Sequence, residues 1–328
     1  MKLLYFFLLI ICISCSTDKG EEYLLKGEIL LENDTNGNYD EIKITKSYLI
    51  LLNRKNDTVI KIFKKDNLSH IYAYAIKGHG DNNISYPEFM KTNSKEPANS
   101  DEFWIVDNKL TFNRVRISNN KITFNRKYIT VAELMPSTQY NVTSKEIYAV
   151  PIVDKNVYGH FCYANEEEGI YWVDPPKFDS NYKFCKSTAY LSNICVSEKH
   201  NKIVSALRFF NRIDFFDLDG CYIKSLNYGK STIKPLLTKD NRSIDVQSSI
   251  KCFIDMCSTD KSIYCIYSGS QDFSNNTTLL VFTWDGKLNR RVILDSRAKQ
   301  ISIDHNEKYI YTISADKAGG NKIIKYKL

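Results

Sequence analysis

Three features of this 328-residue chain predict an all-β fold assembled from a repeated unit. Short apolar runs follow one another between Asn, Asp, Gly and Lys turns, and no long amphipathic helix interrupts them. Two hairpins are legible outright, Arg212–Leu226 and Leu279–Leu294, and both turn on an Asp-Gly dipeptide, Asp219-Gly220 and Asp285-Gly286. That dipeptide favours the two-residue turn at positive φ whose twist matches paired strands. The 22 Tyr and 17 Phe suit pleated surfaces better than a helical bundle.

The first element is an export segment. Lys2 precedes an apolar run from Leu3 to Ile13, then Ser14, Cys15 and the polar Ser16–Gly20. A basic start, a short apolar stretch and a small residue before the cut make a secretory signal, whereas a membrane span needs about 20 apolar residues. Cys12-Ile13-Ser14-Cys15 resembles the lipobox of bacterial lipoproteins, with Cys12 where Leu is usual, as in the looser lipobox of the Bacteroidetes. The resemblance implies cleavage after residue 14, acylation of Cys15 and an outer-membrane location, on either the periplasmic or the surface side. In that group acidic residues soon after the cysteine direct export to the surface, and Asp18, Glu21 and Glu22 answer loosely to that pattern. An uncleaved anchor and a signal without lipid are the competing readings. Residues 1–14 are thus the signal, 15–21 a lipidated tether and 22–328 a single domain. The mature chain loses Lys2 and with it one of seven net positive charges, leaving +6. This excess is dispersed, without the dense basic tract of a nucleic-acid-binding surface, so no nucleic-acid partner is expected.

Next comes Tyr23–Leu31, an isolated strand candidate. Strand pairs follow at Tyr48–Leu52 with Val59–Phe63 and at Glu102–Val106 with Arg114–Ile117, then strands at Glu146–Val150 and Gly169–Val173. The later repeats are clearest. Ile194-Cys195-Val196 leads to Lys202–Ala206 and the first Asp-Gly hairpin, and Phe253-Ile254-Asp255 leads to Ser262–Ile266 and the second. Ile301–Asp304, Tyr309–Ser314 and Lys322–Leu328 then close the chain with three strands. Four antiparallel strands per unit is one β-propeller blade, and a repeat of roughly 40–50 residues gives six or seven blades. Six fits the visible copies, with seven as the alternative. A last unit of three strands leaves an open edge. Tyr23–Leu31 is expected to supply the fourth strand and clasp the ring.

With that unit in view, the chain resembles the TolB-like six-bladed propeller lipoproteins of Bacteroidetes, relatives of the NHL propellers. The family pattern Lys-Gly-x-Gly-Pro-x-Glu-Phe is matched by Lys77-Gly78-His79-Gly80 and Pro87-Glu88-Phe89, with Asp81–Tyr86 inserted between. The resemblance implies a propeller fold and an envelope location, and no established reaction. Asp57-Thr58-Val59 also resembles the short O-glycosylation acceptor of that group.

Reaction motifs are absent from the sequence. Gly78 and Gly80 lack the GK[ST] of a phosphate loop, and Asp217, Asp219 and Gly220 lack the rest of a calcium loop. The five histidines, His70, His79, His160, His200 and His305, form no HExxH, and His200 and His305 fall at equivalent turns. No GxSxG element occurs. Of the nine cysteines, seven follow Cys15, with no CxxC pair of zinc-knuckle spacing. Most sit in apolar strand-like segments and read as buried thiols, and Cys252 with Cys257 stays open as a pair should two strands bring them together. Glu166-Glu167-Glu168 reads as a solvated loop, with a cation or sugar site as the lesser reading. No metal or cofactor is therefore expected. The functional expectation is a binding module for a peptide, protein or glycan, and the alternative is a propeller hydrolase or lyase acting on polysaccharide. Trp104, Trp172 and Trp284 are candidate stacking surfaces that equally suit packing between blades. Trp172, in Trp172-Val173-Asp174-Pro175-Pro176, looks the most loop-like and is the binding candidate.

Overall fold

In the computed structural model, residues 21–32, 39–76, 86–92, 100–107, 111–119, 121–128, 137–144, 146–151, 160–165, 169–272, 276–315 and 320–328 are described. The export segment with Cys15, the Lys77–Gly80 stretch and Glu166–Glu168 lie outside them. Six sheets form six blades. Ahead of them stand β1 (Glu21–Leu25) and β2 (Glu28–Glu32). Blade one holds β3 (Glu41–Ile44), β4 (Tyr48–Leu52), β5 (Thr58–Lys64) and β6 (His70–Ile76). Blade two holds β7 (Glu88–Phe89), then, after the short β8 (Lys91–Thr92), β9 (Glu102–Val106), β10 (Thr111–Ser118) and β11 (Lys121–Tyr128). Blade three is β12 (Ser137–Val142), β13 (Ile147–Pro151), β14 (Phe161–Asn165) and β15 (Gly169–Val173). Blade four is β16 (Ser192–Ser197), β17 (Lys202–Leu207), β18 (Arg212–Phe216) and β19 (Tyr222–Asn227). Blade five is β20 (Lys251–Ser258), β21 (Ser262–Ser270), β22 (Thr278–Thr283) and β23 (Leu288–Leu294). Blade six is β24 (Arg297–Ile303), β25 (Tyr309–Ala315) and β26 (Asn321–Lys327), completed by β2. Helix is confined, among the described residues, to one turn at Lys186–Ala189 and a 3-10 turn at Ser180–Tyr182. No helix among them is long and apolar enough to cross a membrane.

The packing explains the strand sequences. Alternate residues of a strand point to opposite sheet faces. On β4, Leu49 and Leu51 enter a cluster shared with blade six, while Tyr48, Ile50 and Leu52 enter one shared with blade two. Both faces are buried, so Tyr48–Leu52 is continuously apolar and lacks the alternation of a half-solvated sheet. The same division recurs at each junction, giving one apolar cluster per neighbouring pair of blades. The cluster joining blades six and one, with Ile42, Leu51, Tyr311 and Ile313, shows that the ring is closed.

Closure is made as expected, by the first strand segment, but that segment is split. β2 pairs antiparallel with β26, from Glu28 opposite Lys325 to Glu32 opposite Lys322. β1 adds parallel to β23 on the outer edge of blade five, from Glu21 opposite Arg290 to Leu25 opposite Leu294. The clasp thus bridges two blades. The two Asp-Gly hairpins are also present, with a different turn. Gly220 (φ +77) and Gly286 (φ +78) take positive φ and the preceding aspartates do not. Gly220 N–H donates to the Asp217 carbonyl at 3.1 Å and Asp217 N–H to Cys221 at 3.0 Å. This is a three-residue loop, a type I turn followed by a left-handed glycine, and not the two-residue form.

All seven cysteines of the described residues carry free thiols, with Cys221 exposed. Cys252 and Cys257 lie on one strand, β20, five positions and so about 16 Å apart, which rules out the pair left open above. Burial raises the thiols of Cys162 and Cys252 to about 12 and that of Cys195 to about 11, so they serve as small core residues.

Candidate functional site

The innermost strands β3, β7, β12, β16, β20 and β24 surround an axial channel of about 270 Å³, and β8 joins them at the inner edge of β12. Apart from β12, which β8 partners, these innermost strands have no ladder partner towards the axis, so their backbone groups need other acceptors and donors. Side chains from the preceding blade provide them. Gln139 of blade three donates to the Ile194 carbonyl at 2.7 Å and accepts the Ile194 N–H at 3.0 Å. Asn193 of blade four donates to the Ile254 carbonyl at 3.2 Å. Asp255 of blade five accepts the Ile301 N–H at 2.9 Å, and Ser302 of blade six accepts the Ile44 N–H at 3.0 Å. Glu41 of blade one accepts the Phe89 N–H at 2.8 Å. Five of the six junctions are stitched in this way, and the sixth, between blades two and three, is crossed by the chain itself at Met90.

The channel carboxylates are held in the same network. Glu41 binds Arg54 through its other oxygen, and Asp255 binds Lys91. Lys91 also donates to the Met256 carbonyl at 2.6 Å. Burial pushes its ammonium down, but Asp255, together with Cys195 and Cys257, outweighs that and leaves it raised. Glu88 stands 3.7 Å from Arg54, and burial lifts its carboxyl above the usual range while Arg54 partly opposes this. On the blade-four side, Arg208 lines the channel with its guanidinium lowered by burial, which the Asp255 charge partly offsets. Beside it the Ser192 hydroxyl is buried without a partner. The wall not engaged in stitching is therefore cationic and polar, centred on Arg208 and Ser192.

The Pro87-Glu88-Phe89 motif reaches this channel through Glu88 and Phe89. Trp172 does not: it lies in β15, the outermost strand of blade three, opposite Cys162, and packs half-buried on the cluster of blades two and three. Trp104 packs on the same cluster. Trp284 is buried between blades four and five, where its indole N–H donates to the Thr259 carbonyl at 3.0 Å and its ring stacks on His200 at 5.2 Å. His200 and His305 occupy matching turns, between β16 and β17 and between β24 and β25. Among the described residues no group of three or more His, Cys, Asp or Glu has a metal-holding arrangement.

One arrangement superficially suggests nucleophilic chemistry. Ser205 Oγ lies 2.6 Å from His160 Nε2, whose Nδ1 meets the Tyr190 carbonyl at 3.1 Å. Ser205 is fully buried, so no substrate reaches it, and the pair is a core hydrogen bond. Burial lowers the imidazole to about 4, opposed by Asp214. The unfolded chain, with an ordinary histidine near 6.5, takes up this proton first, so stability falls as pH drops from about 6.5 towards 4. The loss attributable to His160 approaches about 3 kcal/mol. Urea unfolding at stepped pH checks it: His160→Gln is expected to be weaker at pH 7 and flatter across that window.

Fold and channel together define a six-bladed β-propeller with a polar axial channel. Neither a protein-family model nor a curated protein matches the sequence. Solved structures do. A member of the DUF4221 family from Bacteroides vulgatus is similar at TM-score 0.60 and 11% identity, over 92% of this chain and 98% of that one. The calcium-binding protein regucalcin from Agrobacterium tumefaciens follows at 0.53 and 12%, over 94% and 97%. A luciferin-regenerating enzyme is similar at 0.52 and 8%, over 93% and 95%. At these identities the likeness establishes the fold alone.

Proposed function

We propose that this chain is a binding module of the bacterial cell envelope, held at the outer membrane by acyl chains on Cys15, and that its ring engages a peptide, protein or glycan. TolB-like kinship is part of this reading, supported by the six-bladed ring and by Glu88 and Phe89 of the shared motif in the channel wall. The observation that carries it is the channel itself. Glu41 and Asp255 are tied into ion pairs and interblade bonds, while Arg208 and Ser192 present donors to the axis. A wall of donors suits recognition of oxygen-rich ligands, and two of its carboxylates, Glu41 and Asp255, are engaged in ion pairs.

Two experiments test this. The mature protein is screened on glycan and peptide arrays beside Arg208→Ala, and array signals are expected to fall about tenfold in the variant, as when a charge-assisted hydrogen bond is lost. Blank arrays, or signals indifferent to Arg208, would sink the channel reading. For the anchor, Cys15→Ser is expected to abolish incorporation of labelled palmitate and to shift the protein from the membrane to the soluble fraction. The raised carboxyl of Glu88 is the one observation favouring the polysaccharide hydrolase or lyase. Release of reducing ends by the parent and not by Glu88→Gln would establish that reading instead.

A further inference from the structure

Away from the axis, the connectors 174–191 (β15 to β16) and 228–250 (β19 to β20) pack against each other. They share a small core with Tyr182, Tyr190, Phe210 and Ile244, and the Tyr182 hydroxyl donates to the Pro235 carbonyl at 2.9 Å. Between them and the loop joining β17 to β18 lies a cavity of about 500 Å³, of a size that holds a small ligand. Arg212 lines it, with its side chain only 9% exposed. Its Nε sits 3.0 Å from Asp214, its Nη1 donates to the Lys177 carbonyl at 3.3 Å, and its guanidinium lies 5.6 Å from the Phe210 ring and 5.7 Å from that of Tyr190. Its Nη2 is buried and has no partner. An orphaned charged donor costs about 1–3 kcal/mol or more, a cost that an acceptor oxygen entering the cavity would remove.

The rim adds charge and an apolar face. Lys177 and Lys234 line the cavity, and Phe178 is 45% exposed there. Asp179 is the one carboxylate among the described lining residues, and its carboxyl is lowered by the hydrogen bond from Lys234, 2.9 Å away. With Arg212 paired to Asp214 and Lys234 to Asp179, the cavity keeps one net positive charge, from Lys177, beside an exposed ring.

We propose that this cavity is a second binding site, for an anionic sugar. A pyranose bearing a carboxylate or sulfate joins both required features on one small rigid frame. Its anionic oxygens accept from Arg212 Nη2 and face Lys177, while its C–H face lies on Phe178. Inorganic phosphate uses only the charge, and a neutral sugar only the ring.

The test is calorimetric titration of the intact mature protein with digalacturonate, glucose 6-sulfate, glucose and a short acidic peptide. Either anionic sugar is expected to bind at least about tenfold more tightly than glucose, and which of the two does so identifies the anion. Phe178→Ala is expected to weaken binding about tenfold and Lys177→Ala about threefold, both being surface changes that leave the fold intact. Arg208→Ala, in the channel, is expected to change nothing, which separates this site from the one proposed above. Equal binding of glucose, preference for the peptide, no saturable heat with either anionic sugar, or indifference to Phe178→Ala would overturn the proposal.

Discussion

Deleting residues 21–32 is expected to open the ring and lower stability by at least about 5 kcal/mol, a fall of roughly 10 °C or more in Tm. The segment contributes two ladders, β1 on β23 and β2 on β26. It also carries Leu25 into the cluster of blades five and six, and Leu30 and Leu31 into that of blades six and one. Each of these half-buried leucines accounts for about 1 kcal/mol and each ladder bond for about 1 kcal/mol. Loss of β2 leaves β26 as a bare edge, so the truncated protein should also aggregate. Gly27 sets the bend between the strands: a Cβ there would collide with Ile324 Cγ2 and stand 2.8 Å from Tyr326 Cε1. Gly27→Ala should therefore act in the same direction with a smaller effect. Leu24→Ala, at a residue 75% exposed, should change stability by less than about 0.5 kcal/mol. Calorimetry with light scattering decides it, and a truncated protein that melts cooperatively within about 2 °C of the parent would refute the clasp.

Much of this fold was legible because a propeller repeats one local device. Asp219-Gly220 and Asp285-Gly286 mark hairpins whatever surrounds them, and the three strands from Ile301 on leave a visible vacancy for which Tyr23–Leu31 is the candidate and which its second half, Glu28–Glu32, fills. The turn type was not legible, since Asp-Gly serves both the two-residue and the three-residue loop, and strand register selects between them. Nor was the split of the clasp at Lys26-Gly27, which follows from contacts with two blades distant in sequence.

The channel was hidden for a different reason. Its lining comes from positions such as Glu41, Glu88, Gln139, Asn193, Asp255 and Ser302, one or two from each blade, so no local spacing records their convergence. Glu88 alone carried a signal, through the Pro87-Glu88-Phe89 motif. The Arg212 cavity sits on connectors that do not repeat at all, and the only hint of it was the Pro-rich segment after Trp172, whose Lys177 and Phe178 form its rim. Trp172 drew attention as an aromatic beside a loop, yet β15 extends to Val173 and keeps its side chain in the blade packing.

Asp255 and Lys91 give the second large effect. Asp255→Ala removes the counter-charge of an ammonium in the channel wall and the acceptor of the Ile301 N–H, and a loss of about 3–5 kcal/mol is expected. Lys91→Met leaves Asp255, only 6% exposed, still bound to Ile301, so its cost should fall at the lower end of that range. Asp255→Asn keeps an acceptor for Ile301 and should lie between the parent and Asp255→Ala. The Lys91→Met, Asp255→Ala double variant no longer strands either charge, and is expected to recover at least about 1 kcal/mol relative to the sum of the single losses. Urea unfolding of the four proteins measures that coupling. Additivity within about 0.5 kcal/mol would show the pair to be incidental, whereas strong coupling would show that the bond from β8 across to β20 braces the ring where blade two has an inner strand of only two residues.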